Sequence, residues 1–131
     1  MTAARLVASL VVGLTLAFAP GVHAASPDGV WQIEMGDSRY RVALCGDGTQ
    51  LCGTLVWLGN GAETADNLPY MNTLLMDRAI QTGPQQWRGE VRLFGYRANV
   101  TAKLVSDSQI SARGCIFGVI CRTYQLYRYG D

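Results

Sequence analysis

Residues 38–58 read SRYRVALCGDGTQLCGTLVWL, and this stretch predicts a β-hairpin. Two runs rich in β-branched and aromatic residues flank the turn-forming segment Gly46–Leu51. A cysteine stands at each end of that segment, Cys45 before it and Cys52 after it. Residues that face each other on paired antiparallel strands come within disulfide range, so we expect these two cysteines to be bonded across the hairpin.

Direct pairing of Cys45 with Cys52 sets a register for the whole hairpin. One face then carries apolar and aromatic side chains and the other a mixed set, which is the alternation of a half-buried antiparallel pair. The opposed residues on the apolar face are Tyr40 with Trp57, Val42 with Leu55, and Leu44 with Gly53. The disulfide itself is expected on the outer, polar face.

A second cysteine pair follows the same pattern near the C-terminus. Cys115 and Cys121 flank residues 116–120. The opposed inward residues are then Ala112 with Tyr124 and Ile110 with Leu126. Zinc sites and redox dithiols favour the closer C-x-x-C spacing, which neither pair has. Four cysteines allow three pairings, and the strand patterns favour the two local bonds, Cys45–Cys52 and Cys115–Cys121.

The rest of the chain is also predicted to be almost entirely β and to form a single domain. We expect a small antiparallel up-and-down barrel or half-barrel of seven to eight strands. The predicted strands are Val30–Met35, Ser38–Cys45, Cys52–Leu58, Trp87–Leu93, Tyr96–Val105, Gln109–Cys115 and Cys121–Arg128. One long connection, Gly59–Pro84, is ambiguous, because Asn72–Ile80 fits a short helix capped by Asn72 while Arg78–Thr82 fits an eighth strand.

The N-terminus has the three parts of a secretory signal peptide. Arg5 is its one charge, Leu6–Phe18 is an uncharged and mainly apolar run, and small residues surround the expected cleavage between Ala24 and Ala25. The run is too short to span a bilayer, which takes about 20 residues. We therefore expect residues 1–24 to be removed, and residues 25–131 to form a periplasmic or secreted domain with no membrane span.

Cleavage at this point would also remove His23, the only histidine of the chain. A mature chain without histidine excludes Ser-His-Asp and Cys-His catalysis and most zinc mechanisms. The acidic residues are scattered over turns and outward strand positions, which is typical of solvated surface charge. The sequence therefore predicts a protein that is not an enzyme, with no catalytic residue, no metal site and no cofactor.

The charge balance bears on possible partners. Removing Arg5 leaves ten basic and ten acidic side chains, so the formal net charge of the mature chain is zero. Binding to nucleic acid or to an anionic membrane relies on excess positive charge. Composition alone therefore gives no support for either partner.

The first strand opens with Gly29-Val30-Trp31, as in closed up-and-down barrels where an arginine of the last strand covers the tryptophan ring. Arg122 and Arg128 both lie on the inward parity of the last predicted strand. With eight strands, the end of the last strand lies beside the first, so Arg128 would contact Trp31; with seven strands, Arg122 is the candidate. Such a cation–π contact contributes about 0.5–2 kcal/mol, and we expect it to be structural.

These motifs resemble those of a family of small bacterial secreted proteins catalogued as a domain of unknown function, number two-one-four-seven. The similarity rests on Gly29-Val30-Trp31, on the block from Cys45 to Leu58 and on Gly114–Thr123, and it spans nearly the whole mature chain. Gly89–Tyr96 departs from the family, since the usual hairpin is shortened here and lacks its proline. The resemblance implies a secreted, disulfide-bearing, lipocalin-like β domain and supplies no catalytic residue.

Two functions outside catalysis fit this sequence. In the first, which we favour, the barrel interior binds a small apolar molecule and the Gly59–Pro84 segment covers its mouth. The expected pocket or core residues are Trp31, Tyr40, Trp57, Trp87 and Tyr124. In the second, the protein is an interaction module, such as an inhibitor or envelope-assembly factor, that contacts an envelope protein through Ile116–Ile120 and Leu68–Met76.

Overall fold

The computed structural model describes residues 11–13 and 25–130. Eight antiparallel strands form a closed barrel in which each strand pairs with the next and the last pairs with the first. The strands are β1 (Gly29–Ile33), β2 (Ser38–Cys45), β3 (Gln50–Leu58), β4 (Leu74–Gly83), β5 (Gln86–Leu93), β6 (Tyr96–Ser106), β7 (Gln109–Ile116) and β8 (Ile120–Gly130). The predicted all-β barrel is confirmed, with eight strands and full closure.

The predicted signal peptide, residues 1–24, lies outside the described residues apart from residues 11–13. Ala24 is outside as well and Ala25 is inside, so cleavage between them stays a prediction. In the described part of the chain, no helix has the length and apolar character needed to cross a membrane.

The long connection contains the eighth strand. Of the two alternatives for this segment, the helix over Asn72–Ile80 is wrong and the strand near Arg78–Thr82 is confirmed, because β4 occupies Leu74–Gly83. A β-bulge explains why this segment also fits a helix. Because of the bulge, Met76 and Ala79 both face inward although they are three residues apart, and this spacing also places residues on one face of a helix. The connection keeps only one helical turn among its described residues, the short 3-10 helix Leu68–Tyr70.

The first hairpin forms with a register that differs from the predicted one. Cys45 opposes Gln50, so the two cysteines are diagonal neighbours, and they form a disulfide with a Cα–Cα distance of 5.9 Å. The cause is a four-residue turn, in which the Asp47 carboxylate accepts hydrogen bonds from the backbone N–H and the hydroxyl of Thr49 at 2.9 and 2.6 Å. Gln50 therefore already belongs to β3.

The shift changes the predicted partners but leaves most of the face assignments intact. The predicted pairs Tyr40–Trp57, Val42–Leu55 and Leu44–Gly53 are wrong; the observed partners of Tyr40, Val42 and Leu44 are Leu55, Gly53 and Leu51. A slip of two residues keeps each side chain on its original face, since side chains alternate with period two along a strand. Tyr40 and Val42 therefore still face the barrel interior.

The second hairpin has the predicted register. Cys115 lies directly opposite Cys121, with a Cα–Cα distance of 4.0 Å, and the two form a disulfide. The predicted inward pairs are also present: Ala112 with Tyr124 and Ile110 with Leu126.

The first and last strands are joined by a contact between Trp31 and Arg128. The Arg128 guanidinium lies 4.3 Å from the centre of the Trp31 ring, and Trp31 is fully buried. The same guanidinium donates hydrogen bonds to the backbone carbonyls of Ser26, Asp28 and Asp107 at 2.7–2.8 Å. It thus fixes the segment before β1 and the β6–β7 turn across one end of the barrel, which we call the closed end.

Arg122, the other candidate for this contact, lies near the opposite end of β8, across from Gly114.

The closed end is filled by aromatic rings. Trp31 donates its ring N–H to the carbonyl of Pro27 at 2.9 Å, and the buried Trp87 donates its own to Thr49 at 2.8 Å. Their polar atoms are thereby satisfied while the rings are removed from water.

Arg128→Lys tests the closure of the barrel. Lysine keeps the charge but cannot reach several carbonyls at once, so we expect the free energy of unfolding to fall by about 2–3 kcal/mol. Arg122→Lys, on the same strand but exposed, is the matched control and should change it by less than about 0.5 kcal/mol. Urea unfolding of both variants measures the difference, and equal effects would contradict the role given to Arg128.

Candidate ligand-binding cavity

Above the closed end, the barrel interior contains a cavity of about 240 Å³. Its walls come from inward-facing residues of all eight strands, among them Val42, Val91, Val100, Ile110, Tyr124 and Leu126. The walls are apolar, and the space lies toward the barrel end that holds the β1–β2, β3–β4, β5–β6 and β7–β8 connections, which we call the open end. This geometry suits an uncharged, apolar guest.

The cavity exists because small residues occupy inward positions on three strands. Gly53 on β3, Ala98 and Ala102 on β6, and Ala112 and Gly114 on β7 all line it. A Cβ atom added at Gly114 would lie 3.5 Å from the nearest side-chain atom, which is an ordinary van der Waals contact. The wall at this point therefore has room for a larger residue, and the cavity is present because this position and its neighbours carry small side chains.

Tyr40 brings a hydroxyl group to the cavity wall. Its oxygen accepts a hydrogen bond from the hydroxyl of the buried Ser38 at 3.0 Å. Burial raises the pKa of Tyr40 above its ordinary value of 10.0; the Ser38 hydrogen bond lowers it, and the negative charge of Asp37 raises it. Tyr40 is therefore neutral at physiological pH, and its ring serves as part of an uncharged wall.

The connection between β3 and β4 folds over the open end. Ala62, Asn67 and Tyr70 line a second space, of about 190 Å³, together with Ile33 and Tyr124, which also line the main cavity. This part of the predicted Gly59–Pro84 cover thus lies at the mouth, whereas its later residues form strand β4 in the barrel wall.

Tyr70 attaches this connection to the β5–β6 hairpin on the far side of the mouth. Its hydroxyl oxygen accepts the backbone N–H of Phe94 at 2.7 Å. The rings of Tyr70 and Phe94 also pack edge to face, with centroids 5.3 Å apart. Opening the mouth further would require both contacts to separate.

The predicted pocket residues occupy three different places. Tyr40 and Tyr124 line the cavity. Trp31 and Trp87 are buried in the core at the closed end and are absent from the cavity wall. Trp57 belongs to neither group, so its placement in the pocket or core was wrong.

A β-bulge turns Trp57 to the outside of the barrel. Tyr40 pairs with Leu55 and Arg39 with Trp57, so Val56 is an extra residue and the alternation of side chains reverses after it. The guanidinium of Arg39 then lies 3.8 Å from the centre of the Trp57 ring and 3.7 Å from that of Tyr129. Trp57 therefore packs in an outer-surface cluster.

The sequence-based prediction of the pocket named aromatic residues and missed the small residues that create the cavity. A signal was present, because Ala98, Val100 and Ala102 alternate on β6, and Ala112 and Gly114 continue the inward parity of β7. The interior of a narrow barrel is normally filled by side chains, so small residues that face each other there leave an unfilled space.

The metal-binding residue types do not converge in the described part of the chain. No three His, Cys, Asp or Glu side chains among residues 11–13 and 25–130 lie close enough together to hold an ion. The cavity itself is lined by apolar residues, the two tyrosines and the disulfide-bonded Cys52.

Comparison with known proteins supports the fold. No family model and no curated protein matches this chain. A solved structure from the human pathogen Helicobacter pylori, described as belonging to the lipocalin family, is similar with a TM-score of 0.57 and 15% sequence identity. The similarity covers 79% of this chain and 83% of that one. The barrel is thus lipocalin-like in fold.

The raised pKa of Tyr40 predicts a loss of stability in alkaline solution. The folded state holds the Tyr40 proton more tightly than the unfolded state does. The protonated hydroxyl therefore contributes fully to the free energy of unfolding below the ordinary pKa of 10.0, and this contribution is lost as the pH rises through the higher pKa of the folded state. The double variant Ser38→Ala, Tyr40→Phe removes both hydrogen-bonding partners and should make stability less steeply dependent on pH in that range. Tyr127→Phe, at an exposed tyrosine, is the control and should leave the dependence unchanged. Identical pH profiles for the two variants would contradict the assignment.

Proposed function

We propose that the protein binds a small, uncharged, apolar molecule inside the barrel. The observation that carries this proposal is the cavity of about 240 Å³ with apolar walls, placed toward the open end. Burying apolar ligand surface releases about 25 cal/mol per Å², and a preformed space avoids the cost of opening one. The lipocalin-like fold supports the same function at a coarse level.

The volume limits the size of the ligand. A cavity of roughly 150 Å³ in another protein stays dry and binds benzene, whereas pockets for drug-sized ligands usually measure about 300–1,000 Å³. A space of about 240 Å³ lies between these values. The proposed ligand is therefore a single-ring compound or a chain of medium length.

Binding without chemical conversion is part of the proposal. Tyr40 and Tyr124 are the ionisable side chains among the residues that line the cavity, apart from the disulfide-bonded Cys52. A general acid and base need pKa values near the working pH, and the pKa of Tyr40 is shifted upward, away from it. The site is built to hold a molecule out of water.

We further propose that the protein works outside the cytoplasm, as a periplasmic or secreted member of the unknown-function family that its motifs resemble. The two disulfides support an oxidising compartment, because such bonds form and persist there. The predicted signal peptide, residues 1–24, agrees with this location. Determining the N-terminal residue of the protein recovered from the periplasm tests it, with Ala25 expected.

Ligand binding is tested with toluene and n-octanol as probes. At a probe concentration about ten times Kd, binding adds about 1.4 kcal/mol of stability, so Tm should rise by about 5 °C for a domain of this size. Ala112→Phe fills the cavity and should abolish the shift, and Gly114→Val does so with a smaller side chain in case the larger one impairs folding.

Arg113→Phe provides the matched control for these variants. It adds the same ring on the same strand but at an exposed position, so it should keep the full shift. Absence of a shift with both probes in the unmodified protein would contradict the proposal. So would an unchanged shift in a folded Ala112→Phe protein.

A further inference from the structure

We propose that the tips of the β5–β6 and β7–β8 hairpins form a docking surface for an anionic lipid bilayer. We call this surface the hairpin-tip patch. Docking of this kind is independent of ligand binding in the barrel. Three features of the tips favour it: their exposed apolar side chains, the conformation of the two turns, and the surrounding charges.

Large apolar side chains are exposed at both tips. Phe117 and Val119 are 75% and 80% exposed, although residues of this kind are usually buried. The other exposed members of the patch are Phe94, Tyr96 and Ile120. The Ile116–Ile120 tip therefore projects into solvent and does not fold back into the barrel.

The two tips form one continuous surface. The rings of Tyr96 and Phe117, one from each hairpin, meet edge to face with centroids 6.1 Å apart. Strands β6 and β7 remain paired up to Ala98 and Ile116, directly behind the tips. The Cys115–Cys121 disulfide fixes the second hairpin at its base, so the patch is organised before it meets a partner.

The turn conformations do not favour phenylalanine. Phe94 and Phe117 have φ values of 54° and 56°, and each is followed by a glycine that also has positive φ. Turns of this type prefer asparagine or aspartate at the first of these positions, because a bulky side chain is strained there. Phe94 packs against Tyr70 and Phe117 against Tyr96, but both rings stay more than half exposed, so core packing does not account for them. Such strain is typical of a functional surface.

The charge of the two hairpins near their tips is mainly positive. Residues 90–98 and 113–124 contain four arginines, Arg92, Arg97, Arg113 and Arg122, and one acidic residue, Glu90. The other acidic residues of the open end belong to the β1–β2 turn and the β3–β4 connection. They are Glu34, Asp37, Glu63 and Asp66. The two hairpins therefore carry a net positive charge that the total composition does not reveal.

This combination fits a lipid surface. Aromatic and aliphatic tips can enter the boundary between headgroups and acyl chains, while guanidinium groups bind the phosphates above it. The patch is made of projecting turns, which suits insertion into a layer of lipids. Because Leu93 and Ala98 of the same hairpin line the cavity, docking would bring the cavity mouth close to the lipid.

The test measures co-sedimentation with vesicles of phosphatidylcholine alone or mixed equally with phosphatidylglycerol. The chain from Ala25 is used, because it contains all eight strands of the closed barrel. We expect binding to the anionic vesicles and at least tenfold weaker binding to the neutral ones. Equal binding to both, or to neither, overturns the proposal and leaves a protein partner as the alternative for the patch.

The double variant Phe94→Asn, Phe117→Asn separates docking from folding. Asparagine relieves the strain in both turns, which offsets the loss of the two edge-to-face ring contacts, so Tm should change by only a few degrees while vesicle binding falls by at least tenfold. Val105→Asn removes an exposed apolar side chain near the closed end and is the control, with binding unchanged. Full vesicle binding by the folded double variant overturns the proposal.

The arginines are tested separately. Each of Arg92→Gln, Arg97→Gln and Arg122→Gln should weaken binding to anionic vesicles by about fivefold. Arg41→Gln, at an exposed position on β2, should leave it unchanged, and equal losses for all four variants overturn the proposed location. Ala112→Phe should bind vesicles normally, so failure of ligand binding and failure of docking are distinguishable.

Discussion

The contact between Arg128 and Trp31 joins the first and last strands, and the closure of the barrel depends on it. Arg128 is the one side chain in the described structure that stacks on Trp31 while binding the carbonyls of Ser26, Asp28 and Asp107. It therefore joins β1, β8, the segment before β1 and the β6–β7 turn. With this end filled by buried rings, the unfilled part of the interior lies toward the opposite end, where a guest can enter.

The all-β fold could be predicted because side-chain alternation is a local property, whereas the sequence left open whether the sheet closes into a barrel. Inward parity correctly identified Ile110, Ala112 and Leu126, and the even number of strands brought Arg128 to Trp31. Bulges are not local, since they depend on how a strand pairs with its neighbours. The sequence therefore did not reveal that the extra residue Val56 turns Trp57 to the outside of the barrel. For the same reason it did not reveal the four-residue turn after Cys45, which shifts the register of the first hairpin.

The proposed functions depend on small residues inside the barrel and on exposed apolar residues at its open end. Small residues at positions such as Ala98, Ala112 and Gly114 leave a space that the tryptophans do not fill. At the same end, Phe94 and Phe117 stay exposed in turns that would favour asparagine. The balanced charge of the whole chain does not reveal the positive charge near these tips. The arginines that flank the tips come from two separate segments, which become neighbours only when β6 and β7 pair.

Ligand binding, as proposed, takes place in the interior of this barrel. Nuclear Overhauser effects between bound n-octanol and isotope-labelled protein test this, because they locate the probe. Binding in the interior predicts contacts to the Val91, Ile110 and Leu126 side chains and to the Tyr124 ring. Contacts confined to the exposed Phe117 tip, with none to the barrel interior, would contradict it.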